Sequence, residues 1–532
     1  MTAAEEAAPG ERRAFALRVG LLVLLALVLR ALEAAESSLW LDELHTLAHA
    51  SQPTLGALAD AVAAEYHTPL FFGCVHLFGG FEAGAWLRAV PVLSSAASLL
   101  LVVIAARGAG LSRRATLLAG WLFACLPYQV LYGSELRPYA WVGAFATIAF
   151  LLAFAERPSV LARLVAFGVV VVLGLLTHRL TAFAVLSIGV ARLFARKPRS
   201  VPLWGLIAAG TLAVAAFLPW FLSFATTATD RRFDYQASVG GYTLRAVLVK
   251  ELFALPARLF APYGRELGGA WGLVELGATA AFFLLVLLAV GLAWRARRAT
   301  ATSATATGAT TTGAMTPGAT LGDAPSPLLR GLWIFALTQF LVTTGVSWYT
   351  WDRVPLQYYT PMAWALCVLV AAVVERAGGR AGARPGEHAG RTRASLPWLA
   401  PTLGAAALVM GIALVAGRSR EDMRGGIAAV RELAAAAREQ TGRDPVFTAV
   451  LAQPTQFPHT LPYRAYGRDL SAREPADVPR PGEEDFARPV IVLRRNVPFS
   501  DAAWRPITEG RERVREIAID RYLTAYWFAP AR

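Results

Sequence analysis

The sequence predicts an all-α polytopic membrane protein of about eleven transmembrane helices, followed by a small extracytoplasmic α/β domain. Three observations predict it. Of 532 residues, 56% are hydrophobic and only 17% are charged, where a globular chain typically carries about 25% charged residues. Apolar runs fit to cross a bilayer recur between residues 14 and 416. Beyond residue 416 the pattern changes to short strand-like runs among charged and helical stretches. This excludes an ordinary soluble enzyme, a disordered chain and a collagen-like repeat. The excess of Lys+Arg over Asp+Glu, 51 − 37 = 14, is read here loop by loop as topology rather than as a nucleic-acid footprint. Cys74, Cys125 and Cys367 stand far apart and support neither a disulfide framework nor a zinc ribbon.

A helix needs about 20 apolar residues to cross roughly 30 Å of hydrocarbon. Such runs lie near 14–34, 86–106, 115–133, 138–155, 160–176, 180–195, 201–223, 271–293, 328–347, 358–374 and 396–416. The first continues into Arg30 and Glu33 without a small-residue cleavage site, so it reads as a retained helix rather than a cleaved signal. Arginines gather at 12–18, 107–114, 157–163, 192–199, 295–298 and 376–393, which is every second connection. By the positive-inside rule the N-terminus is then cytoplasmic and the C-terminal domain extracytoplasmic, as expected of a protein of the cytoplasmic (inner) membrane. Thr68–Phe81 is the exception: about 14 helical residues reach only some 20 Å. It reads as an interfacial or re-entrant helix within a long first outer loop, 35–85.

These runs divide the chain into a membrane domain, 1–416, and an outer domain, 417–532. Two cytoplasmic stretches, Ala/Thr/Gly-rich 299–327 and Gly/Arg-rich 378–394, have linker composition and are expected to be flexible. The outer domain offers a helix pattern at 421–440, strand-like runs at 445–451 and 489–493, and a charged stretch ending in Tyr522–Phe528. No internal repeat, G-x-G-x-x-G or Walker pattern is present.

An ionisable residue close to lipid is a functional candidate by default, and the candidates here fall on one side. The first outer loop carries Ser38-Leu39-Trp40-Leu41-Asp42-Glu43-Leu44-His45-Thr46. Later outer turns carry Tyr132-Gly133-Ser134-Glu135-Leu136-Arg137-Pro138-Tyr139, then Thr177-His178-Arg179, then Trp348 to Arg353 with Tyr358 and Tyr359. Plainer uses exist for each: Trp40, Trp348 and Trp351 suit an interfacial aromatic belt, Glu135 and Arg137 a local ion pair, and Asp42 a helix cap. Asp42, His45 and His49 share one face of a helix over 41–50, but H-E-x-x-H is absent and hydrogen-bonding histidines are the commoner use, so neither a metal nor another cofactor is called for.

Four segments occur in a fixed order: Leu39-Trp40-Leu41-Asp42-Glu43; His67-Thr68-Pro69-Leu70-Phe71-Phe72; Trp86-Leu87-Arg88-Ala89-Val90-Pro91; and Ser134-Glu135-Leu136-Arg137-Pro138-Tyr139-Ala140. Over about residues 10–200 this set resembles the GT-C glycosyltransferases that use lipid-linked sugars, the superfamily of protein O-mannosyltransferases and bacterial aminoarabinose transferases. The second segment looks like that family's H-P-P-L-Y-Y, with Thr68 replacing a proline. Further on, only the many-span pattern and Arg353…Tyr358-Tyr359-Thr360-Pro361 are reminiscent of it. The resemblance implies a GT-C-like fold and makes Asp42 the catalytic acidic residue of the first outer loop.

A sugar on a polyprenyl phosphate suits such a layout, because the tail stays in hydrocarbon while phosphate and sugar lie at the outer interface. A phosphate leaving group with a second pKa of about 6 departs as a stable anion, so one carboxylate base suffices. The expected base is Asp42, with Glu43 in support, since successive helical positions diverge by about 100°. The expected donor-binding set is Glu135, Arg137, Tyr139, His178, Arg179, Arg353 and Tyr358, with Lys250 as an alternative cation, because guanidinium groups bind phosphate bidentately. His45 and His67 are expected on the acceptor or loop side. Direct displacement inverts the anomeric centre; the acceptor hydroxyl belongs to a lipid, a glycan or a protein. The competing class is a transporter or lipid flippase, which places ionisable sites at mid-membrane and often duplicates its halves. A receptor or scaffold leaves Asp42 and Glu43 without a purpose.

Overall fold

The computed structural model describes residues 9–65, 67–80, 83–156, 159–195, 201–238, 269–307, 326–351, 356–377, 398–417, 422–450, 461–467, 469–495, 501–519 and 523–531. Its helices are α1 (Pro9–Glu36), α2 (Leu41–Ala50), α3 (Leu55–Ala64), α4 (Pro69–Leu77), α5 (Ala89–Gly108), α6 (Arg113–Cys125), α7 (Pro127–Ser134), α8 (Tyr139–Phe154), α9 (Val160–Thr177), α10 (Leu180–Phe194), α11 (Leu203–Ser238), α12 (Gly269–Thr307), α13 (Pro327–Trp351), α14 (Thr360–Ala377), α15 (Leu399–Gly417), α16 (Met423–Thr441), α17 (Leu461–Tyr466) and α18 (Asp501–Thr508). The strands are β1 (Val446–Val450), β2 (Val490–Arg495), β3 (Arg511–Ala518) and β4 (Leu523–Pro530). The chain forms two compact units. One holds Met1–Glu33, Ala63–Phe71 and Ala89–Gly417; the other holds Ala34–Val62, Phe72–Arg88 and Arg418–Arg532.

The first unit is helical, and its solvent is lipid. On α1, Leu17, Leu21, Leu24, Val28 and Leu32 are exposed while Val19, Leu22, Ala26 and Leu29 are buried. A helix apolar all round would expose these leucines to water at a cost, and a bilayer removes it. Among the described residues eight helices are long and apolar enough to span, or nine if the bent pair α6–α7 is one span. Each of the eleven expected runs is helical, so the fold class stands as expected. Two runs are short: α8 has 16 residues and α10 has 15, which at 1.5 Å per residue is roughly 22–24 Å of helix.

The run 115–133, read from sequence as continuous, bends by 55° between α6 and α7. Pro127 is the reason: it has no N–H to give the carbonyl of Phe123 and its ring excludes an unbroken helix. The buried Arg30 meets the freed groups. Its Nη2 donates to Phe123 O at 3.0 Å, and its Nη1 to Ala124 O at 3.1 Å and to Ala26 O at 3.0 Å. Its Nε donates to Ser95 Oγ at 2.7 Å. Gly133 makes room for this: a Cβ there would stand 2.4 Å from Ser95 Oγ and 2.6 Å from Arg30 Nε.

α12 runs through Thr307, into the stretch 299–327 expected to be a linker. Residues 308–325 and the second expected linker, 378–394, lie outside the described residues.

The second unit contains a four-stranded sheet in the order β1-β2-β4-β3. β1 pairs parallel with β2, and the other pairs are antiparallel. Val446, Val450, Val490, Val492, Ile507 and Phe528 form its core. α16 packs on β2 and β4; its Asp422 cap accepts from Gly425 N at 2.9 Å, and Gly442 at φ 67° closes the C-terminus. α2, α3, the end of α4 and the start of a 3-10 turn at Gly84–Arg88 occupy residues 35–85, the stretch expected from sequence to be the first outer loop. α4 spans only 9 residues, too short to cross a bilayer.

Candidate active site

In the second unit Asp42 and Glu43 open α2, and their surroundings differ sharply. Asp42 is half-buried, whereas Glu43 is fully buried. Arg88, also buried, grips Glu43 with both ends of its fork: Nε donates to Oε1 at 2.7 Å, and Nη2 donates to Oε2. Oε2 also accepts the backbone N–H of Trp40 at 3.2 Å, which ties the helix start to the same carboxylate. The remaining guanidinium hydrogens go to Ala34 O at 2.8 Å, Ser37 O at 2.7 Å and Ser38 O at 2.8 Å. A buried bidentate pair of this kind is a fixed structural post. Glu43 is thereby engaged by the protein itself, while Asp42 is the member of the pair with solvent access.

His45 and His49 are buried on the next turns of α2, with ring centroids 4.2 Å apart, and His49 packs edge-on to Phe72 at 5.7 Å. Among the described residues no group of three or more His, Cys, Asp or Glu is placed to hold a metal ion.

In the first unit α7 ends at Ser134, and a turn through Pro138 starts α8 at Tyr139. Glu135, Arg137 and Tyr139 are buried there. Proline fixes the backbone that lets Arg137 fold over the Tyr139 ring, 5.9 Å from its centroid. Tyr139 lies 5.8 Å from the ring of His178, and His178 lies 6.4 Å from Tyr358. Tyr132 extends the aromatic series on the other side of Tyr139, at 5.7 Å. Arg179 follows His178 directly and is exposed. Burial, and then the cations of Arg179 and Arg137, hold His178 well below the usual imidazole range. It is therefore neutral. Its Nδ1 accepts Leu180 N–H at 3.1 Å, which leaves the proton on Nε2.

The structure thus brings Glu135, Arg137, Tyr139, His178 and Tyr358 into one neighbourhood and sets Asp42 and Glu43 at one helix start. His67 is half-buried in the first unit, its carbonyl accepting Trp220 Nε1–H at 3.1 Å. Arg353 and Lys250 lie outside the described residues. Sequence reasoning missed Arg88 as Glu43's partner and Arg30 as the partner of the broken helix. The signals were present: Arg88 stands within Trp86–Pro91, and Arg30 is a charge at the end of an otherwise apolar span.

An α-helical membrane unit with its conspicuous polar residues at helix starts and turns, joined to a unit with a small mixed sheet, is a GT-C-like fold. Two solved structures share it: ArnT from Cupriavidus metallidurans bound to undecaprenyl phosphate, at 15% identity, and the same protein in the apo state, at 16%. Each superposes with a TM-score of 0.51 over 96% of this chain and 97% of the other. No protein-family model and no curated protein matches the sequence.

Proposed function

We propose that this protein is a membrane glycosyltransferase that moves a hexosyl or pentosyl group from a polyprenyl-phosphate donor to an acceptor hydroxyl at the outer face of the membrane. The likeness in fold to a protein crystallised with undecaprenyl phosphate supports the donor class. One observation carries the assignment of the base: of two adjacent carboxylates, Glu43 is buried against Arg88 and Asp42 retains solvent access.

In the proposed reaction Asp42 accepts the proton of the acceptor hydroxyl as its oxygen attacks the anomeric carbon. The bond from that carbon to the phosphate oxygen breaks, and its electron pair leaves with the phosphate. The anomeric centre inverts, and no covalent enzyme intermediate forms. Arg137, Arg179 and Arg353 hold the phosphate as charge-assisted donors. His178 adds an Nε2–H without adding charge, Tyr139 and Tyr358 frame the group, and Glu135 orients the turn that carries Arg137. His45 and His67 belong to the acceptor or loop side. The outer-face assignment follows the arginine pattern of the connections, with the N-terminus in the cytoplasm.

The test is to incubate membranes containing the protein with a panel of polyprenyl-phosphate sugars and candidate lipid, glycan and protein acceptors, and to follow transfer by mass spectrometry. A mass increment of one sugar on an acceptor, dependent on the protein, is expected. Movement of intact donor across the bilayer without transfer would instead identify a flippase.

A further inference from the structure

The segment between α1 and α2 is held from two sides. Arg88 takes its carbonyls. The opposite groups, its N–H and hydroxyl, are taken by residues far along the chain. Leu39 N–H donates to the phenol oxygen of Tyr466 at 2.6 Å across 427 positions, and Ser38 Oγ donates to Asp422 Oδ1 at 3.1 Å. Ser38 Oγ in turn accepts Arg424 N–H at 3.2 Å, and Arg424 Nη1 reaches Ala35 O at 3.1 Å. Arg424 also lies over the Tyr466 ring, 5.7 Å from its centroid. Residues 38–40 have no regular secondary structure, and Ser38 and Leu39 are buried. Without these partners their polar groups would be left unsatisfied away from water.

We propose that Tyr466 and Asp422 of the C-terminal segment are positioning residues, fixing Ser38–Trp40 so that α2 presents Asp42 in one orientation. This rests on the reading of Asp42 as the base. It gives the C-terminal segment a part in turnover with no contact to substrate. A base displaced by about 1 Å loses on the order of 10²-fold in rate, and losing the hydrogen bonds to Tyr466 and Asp422 loosens the backbone that leads into α2.

The experiment uses the full-length protein in nanodiscs, with Tyr466→Phe, which keeps the ring and removes the phenol oxygen, and Ser38→Ala, which leaves Asp422 free to cap α16. Two quantities are read: hydrogen exchange of peptides covering residues 36–46, and the split of kcat and donor KM. The expected result is exchange of that segment faster by roughly 10-fold, with β1, β2 and β4 unchanged. In the same variants kcat should fall about 10–100-fold at nearly constant KM, and Ser38→Thr should restore both. Unchanged exchange in both variants would overturn the anchoring. Faster exchange with unchanged kcat would overturn the link to catalysis. If the parent protein transfers no sugar from any donor, the transferase reading itself falls, whereas the exchange measurement still reports on the anchor.

Discussion

Arg88 and Glu43 are 45 positions apart and form a bidentate pair with neither side chain accessible to solvent. The same guanidinium holds the carbonyl of Ala34 at the end of α1 and those of Ser37 and Ser38 in the loop that follows, so Arg88 joins the 3-10 turn at Gly84–Arg88 to the start of α2.

Removing one member of such a pair strands the other as a buried charge, which typically costs about 3–5 kcal/mol. Arg88→Ala and Glu43→Ala should each lower thermal stability in detergent strongly. Arg88→Lys should recover only part of it, because an ammonium cannot bridge two carboxylate oxygens and three carbonyls from one plane. Fluorescence-detected unfolding of the three variants beside the parent checks this order.

Arg30 at the α6–α7 break gives a second expectation. Arg30→Met leaves the carbonyls of Phe123 and Ala124 without their donors, at about 1–3 kcal/mol per group. Gly133→Ala should destabilise by a different route, pushing on Ser95 and Arg30 at under 3 Å. Both should lower the melting temperature, and the double variant should fall short of the sum, because both act on the same guanidinium.

Much of this fold was legible in the sequence. The eleven apolar runs are the helices, and 421–440, 445–451 and 489–493 became α16, β1 and β2. Hydropathy reports which helices favour lipid over water, and periodicity reports which face of a helix or strand meets a core. β3 escaped notice because Arg511–Ala518 is largely exposed and strongly charged, the composition of a protected sheet edge rather than of a core strand. Pro127 marked the break in the third span, but its apolar flanks hid it. Asp42 and Glu43 were legible as a pair of carboxylates. That Glu43 is the one sealed from solvent was not, because its burial depends on Arg88, and no local pattern announces a partner 45 residues away.

His178 sets a pH dependence. Its folded-state pKa lies well below the ordinary 6.5, so in this range the unfolded chain binds the extra proton first and acid favours unfolding. The stabilising contribution is full above about pH 6.5 and is lost as pH falls from there toward the folded-state value. The slope approaches about 1.4 kcal/mol per pH unit for one proton. His178→Gln should flatten the fall of the melting temperature as pH drops below about 6.5 relative to the parent.

Donor affinity should respond to the cations. On the proposed reading Arg137→Ala and Arg179→Ala each remove a charge-assisted contact to the donor phosphate, worth about 1.5–3 kcal/mol, so each should weaken binding of a polyprenyl-phosphate sugar by roughly 10–150-fold. Arg179→Lys should retain more affinity than Arg179→Ala. Titration in nanodiscs with a fluorescent short-chain donor measures each value.

The central claim is that Asp42 removes the acceptor proton. Asp42→Asn preserves shape and hydrogen-bonding capacity but cannot accept that proton, so turnover at saturating donor should fall by roughly 10²–10⁴-fold, the scale of general-base catalysis. Donor affinity measured on the same preparation should be unchanged, since the proposed reading assigns it to the arginines and the lipid-facing helices. An Asp42→Asn protein with near-normal turnover would contradict the account.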